Sequence, residues 1–262
     1  MDYLVISAVS LIVAALTLFS GFGLGTLLMP AFALFFSVEM AVAATAVVHL
    51  ANNIFKVILV GRGANPKIVA LFAVPAAICA AFGAWLLGRV SDAEPITTYL
   101  LGARTCEITT VKLVIAVLIF IFALMELIPY LMKLSFPRKY VPLGGALSGF
   151  FGGLSGHQGA LRTAFLIKCG LTKEAFIGTM VVSAVIVDIS RITVYGTTFV
   201  TKHFEAMKDS SIGSLVIVGI IAAFIGSFIG KQLVKKVTMH TIQVMVGIML
   251  MIVGIALGLG II

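Results

Sequence analysis

SGFGLGTLLMPAFALFFSVEMAVAATAVVHLANNIFKVILVG, residues 20–61, is answered by SGHQGALRTAFLIKCGLTKEAFIGTMVVSAVIVDISRITVYG, residues 155–196. A shift of 135 without gaps lays Ser20 on Ser155, Gly21 on Gly156, Glu39 on Glu174, Lys56 on Arg191 and Gly61 on Gly196. Gly25 with Gly159 and Thr45 with Thr179 pair after a one-residue slip. Each copy opens with a glycine-rich turn at a place where a lipid-spanning helix would run unbroken. Duplicated segments interrupted at corresponding positions point to half-helices whose free ends face a shared cavity.

The surrounding composition sets the solvent. With 61% hydrophobic residues, 11% charged residues and a mean hydropathy of +1.21, the 262-residue chain would expose too much apolar surface as a soluble domain. The apolar runs are long and lack the alternation of barrel strands, so helices are the spanning element. The first twenty residues carry no basic region before the apolar run and read as a retained helix. Cys79, Cys106 and Cys169 lack metal-like spacing and read as packing residues.

Ten apolar segments follow, near 3–20, 24–36, 41–60, 68–90, 111–129, 141–153, 160–169, 175–195, 212–230 and 240–260. A full span needs about 20 residues, and those at 24–36, 141–153 and 160–169 are too short to cross alone. The expected fold is an all-α polytopic membrane protein with two inverted repeats, residues 1–130 and 131–262, each containing broken or re-entrant half-helices. Five segments per half is an odd number, which inserts the second copy upside down. Ser91 to Thr110 is the longest polar interruption and reads as an insertion outside the repeat, a short hairpin or helix at the interface.

Alternating the ten segments puts Arg62, Lys67, Lys133, Arg138, Lys139, Lys168, Lys173, Lys231, Lys235 and Lys236 on one face. Arg89, Arg104, Lys112, Lys202 and Lys208 fall on the other. Ten against five makes the first face cytoplasmic and both termini external. The net charge of +8 then reflects topology, and no nucleic-acid partner is expected.

Arg162 lies in the first turn of the helix expected after Gly156, His157, Gln158 and Gly159. A charged residue inside an apolar segment costs roughly 2.5 to 3.5 kcal/mol on insertion scales, so it is paired, snorkelled or functional. Free backbone N–H groups and a helix N-terminus beside an arginine describe an anion site. The matching turn at Gly21, Gly23 and Gly25 offers N–H donors without charge. Its GxGxxG-like look lacks the strand–turn–helix context of a dinucleotide site.

Thr45, His49, Asn52, Asn53 and Lys56 step by three or four and form one polar stripe on a helix. Thr179, Ser183 and Asp188 make a sparser stripe, and Asp188 with Arg191 is an i, i+3 ion pair. Such stripes face a bundle interior or a watery cavity, and an intramembrane carboxylate is a functional hypothesis by default. Threonines, serines and asparagines also serve as glue between helices. Glu39 and Glu174 read as helix-start residues, Glu126 as a side chain reaching the interface beside Pro129, and Lys56 as an interfacial lysine. Gly83, Gly226 and Gly230 read as sites of close helix approach.

The twin glycine turns, the proline in LLMPAFALFF, the AVAATAVV run after Glu39 and the repetition of that layout after SGHQGALRTAFL resemble the TauE/SafE sulfite-exporter family. The resemblance covers nearly the whole chain. It implies a secondary carrier in the cytoplasmic membrane for sulfite, organosulfonates or related small anions, with no cofactor. It places the substrate region at the turns Gly21 to Gly25 and Gly156 to Gly159. Family members often repeat a GxGGG-like run in both halves; His157, Gln158 and Arg162 depart from it here, which leaves the substrate open. The expected site joins Arg162 and turn N–H groups, which hold an oxyanion, with Thr45, Asn52, Asn53 and Gln158, which orient it. Asp188 or His157 would carry a coupling proton, with Arg191 as the charge partner of Asp188. The expected partners are the small anion and the bilayer, and a homodimer is compatible with the reading. Two alternatives stay open: an anion channel, and a rhomboid-like protease using Gly153, Ser155 and Gly156 as a GxSG nucleophile motif.

Overall fold

A computed structural model describes residues 1–17, 24–102, 104–200, 211–233 and 239–262. Gly21 and Gly23 lie outside the described residues, as do Lys202, Lys208, Lys235 and Lys236. The helices are α1 (Asp2–Thr17), α2 (Gly25–Ala33), α3 (Val38–Val60), α4 (Pro66–Ser91), α5 (Thr110–Leu127), α6 (Pro129–Met132), α7 (Val141–Ser155), α8 (Gly159–Leu166), α9 (Lys173–Tyr195), α10 (Ile212–Leu233) and α11 (Met239–Gly258). A two-stranded antiparallel hairpin, β1 (Thr97–Leu101) and β2 (Arg104–Ile108), fills the polar interruption between α4 and α5.

Polar residues at the segment edges set the boundaries. Asn65 accepts from the Ile68 N–H at 3.1 Å, with Pro66 opening α4 behind it. Thr109 and Thr172 cap α5 and α9 in the same way. Each cap satisfies a backbone donor that the first helical turn leaves free. Glu39 and Glu174 sit in the first turns of α3 and α9, where the dipole favours them.

The burial pattern is that of a protein solvated by lipid. Leu4 and Ile58 are 73% exposed, whereas Thr45, Asn52, Asp188 and Arg191 are 0% exposed. Among the described residues five helices are long and apolar enough to cross a membrane, with shorter apolar stretches at Asp2–Leu16 and Gln243–Gly258. The chain is therefore a multi-pass helical membrane protein.

Close packing of small residues aligns the helices. Gly145, Gly149 and Gly153 of α7 lie on the carbonyls of Phe72, Ala76 and Ala80 of α4, so the two helices run in the same sense. A methyl group on any of the three would overlap backbone, which keeps the axes close. Gly226 and Gly230 of α10 lie in the same way on the carbonyls of Leu11 and Ala15 of α1, and Gly219 lies against the Ile6 side chain. In contrast, α3 and α9 run oppositely: His49 meets Asp188, and Val60 meets Gly178. The α5 and α11 pair is also antiparallel, with Leu127 on Gly247 and Ala116 near Gly258. Thus α1, α3, α4 and α5 each meet a second-half helix, and α4 on α7 is mirrored by α10 on α1.

Candidate functional site

Two helix ends meet at the centre. Between α7 and α8 the chain reverses over three residues, with Gly156 at φ 82°, a left-handed conformation that glycine adopts without Cβ strain. Phe165 packs on Gly144, and Gln158 packs on Gly152, so α7 and α8 form a helical hairpin with residues 156–158 at its tip. Gly25, which opens α2, faces this tip: a Cβ there would stand 3.3 Å from the Gly156 carbonyl oxygen and 3.5 Å from the Thr45 methyl. The two glycine turns of the sequence therefore come together at Gly25 and Gly156.

Asp188 of α9 anchors the polar cluster beside them. One carboxylate oxygen accepts from Arg191 Nε at 3.0 Å and Nη2 at 2.7 Å, and from Gln158 Nε2 at 3.4 Å. The other lies 2.7 Å from His49 Nδ1 and accepts from Asn53 Nδ2 at 3.0 Å. With His49 Nδ1 protonated and donating to Asp188, that nitrogen cannot also accept from Asn53, so the 3.0 Å approach between them is proximity rather than a bond. Arg191 also donates to the Gly152 carbonyl at 3.0 Å, and the Tyr195 hydroxyl donates to that of Gly153. The ion pair read from the sequence is thus also a strut joining α9 to the end of α7.

Arg162 of α8 is 3% exposed and donates to Gln158 Oε1 at 3.4 Å, while its Nε has no partner among the described residues. Lys56 of α3 is 5% exposed and, among the described residues, forms no ion pair. The two cations lie within electrostatic reach of each other. This corrects the reading of Lys56 as an interfacial lysine: it is the last member of the Thr45–Lys56 stripe and turns inward with the rest. Among the described residues Thr45 Oγ1, Asn52 Nδ2 and Ser183 Oγ are buried without hydrogen-bond partners, and Asn52 Oδ1 accepts from Ser227 at 2.7 Å. Asp188 is taken by Arg191, so Lys56 and Arg162 are left without a carboxylate of their own among the described residues, and several donors stand unused. A compact anion with several acceptor oxygens would satisfy both.

Other sequence candidates go elsewhere. The His157 ring stacks on Phe122 of α5, centroids 5.7 Å apart, and its Nδ1 lies 2.9 Å from the Ser155 carbonyl oxygen. Thr179 accepts from the Asn65 N–H at the α3–α4 turn. Ser155 donates its hydroxyl proton to the Phe151 carbonyl at 2.9 Å, an internal helix bond that gives no support to a nucleophile. Glu126 is 3% exposed under α8 and α11 instead of reaching the interface. His49 and Lys56 are the site residues that the sequence reading left out. The signal that finds them is the stripe itself, together with the shift that lays Lys56 on Arg191.

A family model described as Sulfite exporter TauE/SafE matches residues 6–257. No curated protein and no solved structure gives a significant match.

Proposed function

The chain belongs to the TauE/SafE sulfite exporter family, and on that premise we propose that it is a secondary carrier for sulfite, an organosulfonate or a similar small oxyanion, working by alternating access in the cytoplasmic membrane. The observation that carries the reading is the pair Lys56 and Arg162, two buried cations that form no ion pair among the described residues, with the unused donors of Thr45 and Asn52 on the same face of α3 as Lys56. Arg162 and Lys56 hold the anion; Thr45, Asn52 and the N–H groups near Gly25 and Gly156 to Gly159 orient it. Asp188, with His49, Asn53, Gln158 and Arg191, fixes the frame around them.

Residues 1–130 and 131–262 act as inverted repeats. Support comes from the helix senses: α1 and α10 run together, α4 and α7 run together, and α3 opposes α9, as a two-fold axis in the membrane plane requires. Alternating access is then rocking of one repeat against the other around the meeting point of the turns. Single cysteines beside Arg138 and at Leu100, introduced after removal of Cys79, Cys106 and Cys169, are expected to label from opposite faces, cytoplasmic for the first and external for the second. Labelling of both from one face removes the inversion.

Purified protein in liposomes loaded with sulfite, a small sulfonate or sulfate tests the substrate. Saturable counterflow of sulfite or the sulfonate is expected. Flux that rises linearly with concentration makes it a channel, and movement of none of the three anions overturns the reading.

A further inference from the structure

The strongest unassigned feature is a cavity of about 420 Å³ on the side of the molecule that carries Arg138. It lies between the end of α5, the segment after α6, one face of α8 and the start of α11. Glu126 lines it, 3% exposed and, among the described residues, with no hydrogen bond or ion pair. The charged groups facing Glu126 across the cavity are Lys133 after α6 and Lys168 after α8, both exposed and neither paired with it. From α11 come Gln243 and Gly247, the latter against the Glu126 Cβ. A buried carboxylate with no partner, opening on a cavity, is arranged to meet a cation.

Asp188 is the other buried carboxylate among the described residues, and its oxygens are already taken by His49, Asn53, Gln158 and Arg191. Discharging it would leave Arg191 unpaired in the core of the protein. We propose that Glu126, rather than Asp188, is the proton-coupling carboxylate of this carrier, a reading that rests on the transport function proposed above. A proton from water in the cavity bonds to a Glu126 carboxylate oxygen, and that O–H bond breaks again to water on the opposite face once the repeats have rocked. An ionised Glu126 needs the hydrated cavity, whereas a neutral one tolerates a closed, dry one.

The link to the anion runs through α8. Ala160, Thr163, Ala164 and Ile167 face the cavity, and Arg162 projects from the opposite side of the same short helix. Hydration at Glu126 and an anion on Arg162 therefore bias the position of one element, which is what coupling between two sites requires. The glycines at positions 156 and 159 leave that helix hinged at its start.

Reconstituted wild type, Glu126→Gln and Glu126→Asp proteins test this. Counterflow of sulfite without a gradient and uptake driven by a pH gradient are both measured. The Glu126→Gln protein should keep counterflow within about twofold of wild type and lose the stimulation by the pH gradient, a split that a merely structural role does not give. Glu126→Asp should retain the stimulation with a shifted pH profile. Undiminished stimulation in Glu126→Gln overturns the proposal, and so does a wild type whose uptake ignores the pH gradient. If Glu126→Gln does not fold, Glu126→Asp decides: an unshifted pH profile overturns it. Absence of counterflow in the wild type would instead sink the carrier reading itself, and this proposal with it.

Discussion

Asp188→Asn is expected to reach the membrane at a small fraction of the wild-type level and to melt at a clearly lower temperature. The carboxylate oxygens of Asp188 receive Arg191 twice, together with His49, Asn53 and Gln158, in a site that is 0% exposed. An asparagine offers an NH2 group where one of these oxygens stood, so donor faces donor at either His49 or Arg191. Removing one partner of a buried ion pair costs about 3–5 kcal/mol, because the remaining charge stays buried without compensation. Against a total stability of about 5–15 kcal/mol for a typical domain, that is a large share. The double variant Asp188→Asn with Arg191→Gln should recover part of the loss, since it removes the stranded cation; non-additivity of this kind marks a direct pair. Fluorescence-detected size exclusion and thermal melting read both effects. A well-expressed Asp188→Asn protein with a wild-type melting temperature would show that the carboxylate is not the strut described here.

The element boundaries were legible because local chemistry sets them. Asn65–Pro66, Thr109 and Thr172 end polar links and start helices by capping, and Gly156 permits a reversal that other residue types make only with strain. The stripe from Thr45 to Lys56 was legible as one face of α3 for the same reason, since period 3.6 is a property of the helix alone. What the sequence withheld is which partner each buried group meets. Glu126, in the last turn of α5 and just before Pro129, has the local signature of an interfacial side chain; it is buried because α8 and α11, distant in sequence, close over it. Lys56 has the signature of a snorkelling lysine near the end of α3, yet it turns inward because the face it shares with Asn52 and Asn53 is the inner one. His157 sits in the glycine turn that the repeat singles out, but its ring goes to Phe122. Periodicity reports burial; only tertiary packing assigns a neighbour.

Arg162→Gln and Lys56→Gln are each expected to weaken anion binding by about 10- to 100-fold, since hydrogen bonds to charged groups contribute about 1.5–3 kcal/mol and each 1.4 kcal/mol is tenfold. Arg162 should show the larger loss. Its Nε has no partner among the described residues, it lies in the first turn of the helix after the Gly156 turn, and its Nη1 contact to Gln158 at 3.4 Å is long enough to yield to a better acceptor. Unlike Asp188→Asn, these variants remove a buried cation that has no carboxylate partner, so the empty protein should fold at least as well as wild type. Stability and binding therefore move independently, and that separation identifies a ligand site rather than a structural one. The half-saturation concentration for sulfite counterflow, measured beside the melting temperature without anion, reads both quantities. Lys67→Gln, at an exposed position outside the cluster, serves as the control and should change neither. A folded Arg162→Gln protein with wild-type half-saturation would remove Arg162 from the site; the same result for Lys56 alone would leave the anion on Arg162 and the turn N–H groups, with the second positive charge serving only to raise the local potential.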